Sequence, residues 1–352
     1  MQNNQFLLYG ANGYTGQLIA KMAKEFELEP VLAGRNEQAL KALAQDLQLT
    51  YRVVDLKDHA ALVDCLRNYK VVLHAAGPFQ HTSSQMLKAC LEAQTHYLDI
   101  TGEITVFESA KKMDSKAISS GIMIMPGVGF DVVPTDCIAK YLKDQQPDAT
   151  HLRLAFASIG GRLSHGTATT MAEGAGEGSA VRENGIIVKK PLGHKGFTVD
   201  FGLKKIFVMS IPWGDVSTAY TTTGIPNIET YTMASPKAYS LLKWQGLYNW
   251  VLRTSFFRNR LKSKINQKPA GPDDATRAKA KSLVWGEVVN ASGEKKSARL
   301  SAPEGYTLTA ISSLIIAKKV LSGNFKSGYQ TPAGCYGADL VMEIPGVERE
   351  SL

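Results

Sequence analysis

The chain has 352 residues, 44% of them apolar and 20% charged, with a net charge of +8. That balance excludes a disordered chain, and at about 150 residues per domain it points to two domains. A surplus of eight positive charges over this length speaks against a nucleic-acid-binding arm. Short apolar runs at 6–9, 30–33, 51–54, 71–73, 96–100 and 122–125 predict six strands. Between them, helical spacing predicts helices over 15–24, 37–47, 60–66, 84–93 and 106–119. Strand and helix taking turns across short joints means βαβ units and a parallel sheet.

The pattern changes after Asp131. Residues 135–143 read as a helix, and longer strands are predicted at 152–158, 185–189, 205–211 and 217–223, around a Gly-rich stretch at 160–178. Strands at 282–289 and 296–300 follow. A helix over 307–321 carries Leu308, Ile311, Leu314 and Ile315 on one face and ends at Gly323. The expected fold class is α/β: a Rossmann-type parallel-sheet domain (1–130), an α+β domain with a mainly antiparallel sheet (131–302), and a C-terminal helix and tail (303–352).

Gly10, Ala11, Asn12, Gly13, Tyr14, Thr15 and Gly16 follow a strand and open a helix, the context in which a glycine pattern carries weight. The first glycine permits a tight turn, the second lets backbone approach a pyrophosphate, and the third lets helix pack on strand. Amides at the helix start then hold the anion. The second strand ends in Gly34, Arg35 and Asn36, where an NAD-binding site would place a carboxylate for the ribose 2′-hydroxyl. Arg35 instead suits a 2′-phosphate, so NADP(H) is the expected coenzyme. Asp55 ends the third strand near the expected adenine. Ala76, Gly77, Pro78 and Phe79 follow the fourth strand, where the coenzyme backbone should pass. Phe79 and Phe130 are candidates to wall the nicotinamide, and Gly129 to offer a backbone amide.

These motifs make the sequence familiar. Gly10 to Gly16, the run from Ala76 to Phe79, the stretch from His96 to Glu103, and Gly127-Val128-Gly129-Phe130-Asp131 together resemble the saccharopine dehydrogenase-like oxidoreductases. The bacterial members of that family include trans-acting enoyl reductases. The likeness continues through Gly166-Thr167-Ala168, Ile211 to Asp215, Trp285-Gly286-Glu287 and Gln330 to Ala333. The resemblance implies a Rossmann domain, an α+β dehydrogenase-like domain, and a last helix returning to the first domain; it leaves the substrate open.

Hydride transfer asks the protein for positioning and a proton source. Asp99, Thr101 and Glu103 follow the fifth strand; Thr101 and Glu103 also read as a cap for the next helix, and Asp131 and Asp136 read as caps for the one after. His165, ahead of a Gly/Ala-rich helix, is a candidate acid, histidine being the side chain that serves as a physiological-pH switch. Tyr97 is a rival donor, with Tyr14 and Tyr220 behind it.

The segment 239–264 mixes Trp244, Trp250, Phe256 and several leucines with Lys243, Arg253, Arg258, Arg260, Lys262 and Lys264. It reads as a buried helix with snorkelling cations, as a wall of a greasy substrate cleft, or as a peripheral membrane contact. A polar loop at 267–274 follows.

Cys65, Cys90, Cys137 and Cys335 stand alone, without metal-site spacing, so a reduced, cytoplasmic setting and no metal are expected. The opening residues 1–8 lack the layout of a signal peptide, and no apolar run reaches the roughly 18 residues of a membrane span. The expected activity is NADP(H)-dependent reduction of an enoyl, carbonyl or imine group on a lipophilic small molecule, with a homodimer as a candidate assembly and no nucleic-acid partner. A saccharopine-type imine reductase and a non-catalytic NADP(H) sensor are the alternatives.

Overall fold

The computed structural model describes residues 4–267 and 269–352. Met1–Asn3 of the polar opening and Lys268 of the 267–274 loop lie outside them. The chain forms two compact units. The first runs to Val133 and takes in Tyr306–Cys335; the second comprises Pro134–Gly305 and Tyr336–Leu352.

The first unit is built on strands β1 (Gln5–Tyr9), β2 (Glu29–Gly34), β3 (Tyr51–Val53), β4 (Val71–His74), β5 (His96–Asp99) and β6 (Met123–Met125). They lie in the order β6-β5-β4-β1-β2-β3, with the short strand Gly328–Tyr329 beyond β6, and every pairing is parallel. Leu7, Leu8, Val72, Leu73, Leu98 and Ile124 have no exposed surface. Burial on both faces is what a parallel sheet covered by helices requires, and it explains why these strands read as unbroken apolar runs. Helices α1 (Tyr14–Met22), α2 (Glu37–Leu47), α3 (His59–Leu66), α4 (Phe79–Ala93), α5 (Ile104–Lys111) and α6 (Asp114–Ser119) connect them.

Two predicted helices change shape. The one expected from 84 starts at Phe79, with Pro78 as its N-cap residue. The one expected over 106–119 breaks at Met113 (φ −93°, ψ 2°), after which the Asp114 side chain accepts the Tyr329 amide at 2.7 Å. The helix Gly305–Leu321 is buried on nearly all sides rather than along one face. Its Ser312 and Ser313 satisfy their hydroxyls by donating to the carbonyls of Val128 and Ala310.

The second unit carries α7 (Val133–Gln145), β7 (Ala149–Ile159), α8 (His165–Glu173), β8 (Ser179–Glu183), β9 (Ile186–Lys190), β10 (Gly196–Asp200), β11 (Lys205–Ser210), α9 (Asp215–Thr223), β12 (Asn227–Met233), α10 (Pro236–Leu242), α11 (Gln245–Leu252), α12 (Ser255–Asn266), β13 (Lys281–Asn290) and β14 (Lys295–Pro303). Its sheet runs β10-β11-β12-β7-β13-β14, closed by Glu348–Ser351, and is antiparallel except between β12 and β7. The strand expected at 217–223 is α9 instead. Gly224 (φ +69°) ends it in the left-handed conformation, its amide bonded to the Tyr220 carbonyl. That cap, together with burial of Val216 through Ala219, outweighs the β-propensity of the threonines. The buried-helix reading of 239–264 is also corrected, because α10, α11 and α12 contain no buried residue.

Candidate functional site

The carboxyl ends of six parallel strands share one edge of the first unit, and the order 3-2-1-4-5-6 reverses direction between β1 and β4, the switch point where such sheets receive ligands. Gly10 (φ +84°) lies at the centre of that edge. A Cβ there would sit 2.7 Å from the Ala76 amide nitrogen, so the β1 turn and the end of β4 touch backbone to backbone. A Cβ on Gly16 would meet the Gly10 carbonyl oxygen at 2.4 Å, which lets α1 lie flat on the turn. Gly13 is the N-cap residue of α1; no side chain caps this end, and its first turn holds no acidic residue. Asn12 and Gly13 are exposed, and Tyr14 and Thr15 half-buried. These are the features that an anion-binding helix start needs.

Arg35 is exposed at the end of β2 and makes no ion pair among the described residues. Asn36 is partly committed elsewhere, since its side-chain oxygen caps α2 by accepting the Ala39 amide at 3.0 Å. Asp55 accepts the Lys57 amide at 2.9 Å. Burial pushes the Tyr9 hydroxyl up to about 12; the charge of Asp55 adds to that shift and that of Arg35 opposes it. Arg35 and Asp55 therefore act on the same end of β1, on the flank where the adenosine half of a dinucleotide belongs.

Beyond β4 the arrangement differs. Glu103 accepts the amides of Phe79 and Gln80, both at 2.8 Å, so its carboxylate caps α4. The sequence suggested that Glu103 caps its own helix; its side chain makes no such bond to α5. The start of α4 is thereby closed to a second anion, and the start of α1 is left as the open one. Phe79 is buried edge-on against His74. His74 is fully buried and neutral, its pKa pushed down to about 3 by burial, and it shares a hydrogen bond with Thr82.

Asp99 and Tyr97 are both fully buried. The Tyr97 hydroxyl donates to Asp99, which also accepts the amides of Thr101 and Gly127 at 2.9 Å. Burial raises Asp99 to about 6 against these donors, and burial followed by the Asp99 charge raises Tyr97 well above the usual phenol range. The pair ties the β5 and β6 ends together beneath the surface. Asp131 is partly buried, and a Cβ on Gly102 would lie 2.7 Å from its carboxylate oxygen. Burial first, and the Glu103 charge second, raise Asp131 to about 7. The sequence offered Asp131 only as a helix cap, and nothing local announces the shift, because Gly102 and Glu103 lie far from it in the chain.

A Cβ on Gly129 would strike Thr309 at 2.7 Å, so the helix Gly305–Leu321 packs directly on this turn, and the Phe130 amide donates to the Thr309 hydroxyl at 2.9 Å. His165 lies in the second unit as the first residue of α8, where Ser164 caps the helix by accepting the Thr167 amide.

The chain was compared with known proteins. Residues 6–125 match the family model for the saccharopine dehydrogenase NADP binding domain. The chain is 30% identical over 161 residues to a saccharopine dehydrogenase-like oxidoreductase from Rattus norvegicus, covering 40% of this chain and 38% of the relative. It is 27% identical over 214 residues to a lipid droplet localized protein from Caenorhabditis elegans (55% and 50%), and 30% identical over 148 residues to a trans-acting enoyl reductase from Mycobacterium ulcerans (39% and 35%). The chain thus spans half or less of the length of these relatives. Among solved structures, apo saccharopine dehydrogenase (L-Glu forming) from Saccharomyces cerevisiae shares the fold over 99% of this chain and all of that one, with a TM-score of 0.68 at 12% identity.

Proposed function

From the premise that residues 6–125 are an NADP-binding domain of the saccharopine dehydrogenase type, we propose that the chain is an NADP(H)-dependent reductase of a C=C, C=O or C=N bond in a lipophilic substrate. The supporting observation is the pairing of an open, carboxylate-free α1 start with an unengaged Arg35. The exposed turn at Asn12 and Gly13 and the start of α1 would receive the pyrophosphate, with Gly10 and Gly16 letting turn and helix close up beneath it, and Arg35 would take the 2′-phosphate as a planar fork. Ala76 and Gly77 would flank the coenzyme beyond β4, and Asp55 the adenosine. When bound, the coenzyme supplies a hydride.

The chain's own chemical part is the proton. Asp131, raised to about 7, carries a proton in about half the molecules at neutral pH and could deliver it to the atom next to the reduced carbon, regaining it from solvent. Tyr97 and Asp99 fix the loops around it and are positioning residues. The lipophilic substrate class rests on the names of two relatives, the enoyl reductase and the lipid droplet protein. Four free cysteines, two of them buried, support a reducing compartment.

Stopped-flow absorbance tests the reading. NADPH is expected to be consumed with at least one class among enoyl thioesters, lipophilic ketones and imines, and NADH to bind more weakly. Oxidation with none of them, or equal affinity for both coenzymes, would overturn it.

A further inference from the structure

The 31 residues from Pro236 to Asn266 hold seven lysines and arginines and no Asp or Glu, a surplus of +7 within α10, α11, α12 and their joints. The three helices sort these charges by face. On α12, Arg258 and Lys262 are one turn apart and pair with Glu177 and Glu173, while Arg253 donates to the Gly176 carbonyl. That face anchors the segment on its own unit. Phe256, Arg260 and Lys264 repeat at spacing four on the other face, all exposed.

Leu241, Trp244, Leu247 and Trp250 follow at spacing three across α10 and α11. They are 67%, 65%, 72% and 69% exposed. Lys237, Lys243, Arg260 and Lys264 have no carboxylate partner among the described residues. The polar tips of two rings are already satisfied within the segment. The Trp250 indole donates to the Leu247 carbonyl at 2.9 Å and the Tyr248 hydroxyl to the Leu241 carbonyl at 3.1 Å. These two rings can therefore leave water without stranding a donor.

We propose that this face docks the protein on an anionic lipid surface, with Trp244, Leu247 and Trp250 in the headgroup layer and Lys243, Arg260 and Lys264 against lipid phosphates and carboxylates. Its composition is that of a helix lying in an interface. A second copy fits less well, because a two-fold contact would set this wholly cationic face against itself. No helix is long and apolar enough to cross a membrane among the described residues, so the contact is with the surface.

Co-sedimentation of the full chain with phosphatidylcholine vesicles, with and without about 30% phosphatidylserine, tests this. Partitioning is expected to rise at least tenfold with phosphatidylserine, to fall at high salt as screened charge requires, and to blue-shift tryptophan emission. The exposed double variant Trp244→Ser/Trp250→Ser should keep the circular dichroism of the parent and lose at least tenfold in binding. Arg260→Glu/Lys264→Glu should lose the phosphatidylserine preference, each lost cation weakening binding about fivefold. Three results would overturn the proposal: no partitioning by the parent, binding unchanged in both variants, or a dimer or a DNA complex in place of vesicle binding. The assay needs no coenzyme, so its failure leaves the redox reading standing.

Discussion

In the proposed reaction Arg35 and Asp131 have separate parts: one would be a fixed charge that selects the coenzyme, the other a titrating group that would supply the proton. Removing a charged hydrogen-bond partner costs about 1.5–3 kcal/mol. Arg35→Ala should therefore weaken NADPH binding about 10–100-fold while leaving NADH nearly unchanged, as isothermal titration would show. Reduction requires Asp131 protonated, so turnover should fall as pH rises through about 7. Asp131→Asn keeps the shape and loses the transferable proton; kcat should drop at least about tenfold, and the alkaline limb of the profile should vanish. Stability carries the same signature. Folding raises this carboxyl from 3.8 to about 7, and Asp99 from 3.8 to about 6. The folded chain then binds protons that the unfolded chain has released. The contribution is fully present below about pH 4 and is lost as pH rises to about 7. The melting temperature should decline between pH 5 and pH 8, and Asp131→Asn should flatten part of that decline in a calorimetric series.

At the scale of elements, the capping of α4 by Glu103 couples a helix terminus to a titrating group. Glu103→Ala should cost about 1–2 kcal/mol, in line with lost caps and helix-dipole contacts, read as a lower urea midpoint. Glu103→Gln also removes the negative charge that raises Asp131, so the alkaline limb should move to lower pH. The strands of the first unit and the glycines at 10, 13 and 16 were legible in the sequence, because a doubly covered parallel sheet writes itself as apolar runs and a tight turn as glycine. The start of α4 was not, since its cap comes from a residue 23 and 24 positions away. Nor was α9, where a terminal glycine and burial decide against threonines that favour strands. Asp131 reads as an ordinary cap in one dimension; only folding brings it onto Gly102 and within reach of Glu103.

For the molecule as a whole, ligand binding should be felt unevenly. Each unit has a sheet and a core of its own, and the residues proposed to hold the coenzyme all belong to the first. NADPH at a hundred times its dissociation constant should stabilise that unit by about 2.7 kcal/mol. Scanning calorimetry should show one unfolding transition moving upward with NADPH, and exchange of amide hydrogens should slow in β1, β4 and α1 before it slows in β7 or β13.

The first unit borrows Tyr306–Cys335 from the far side of the second. A ribosome must therefore emit more than three hundred residues before the dinucleotide fold can close. Until then the groove awaiting Thr309 and the flank of β6 awaiting Gly328–Tyr329 stand bare, an unfinished sheet margin of the kind that invites mispairing. A gene fragment cut near residue 133 should yield insoluble or chaperone-bound product, and supplying 306–335 through a short linker should restore a soluble coenzyme binder.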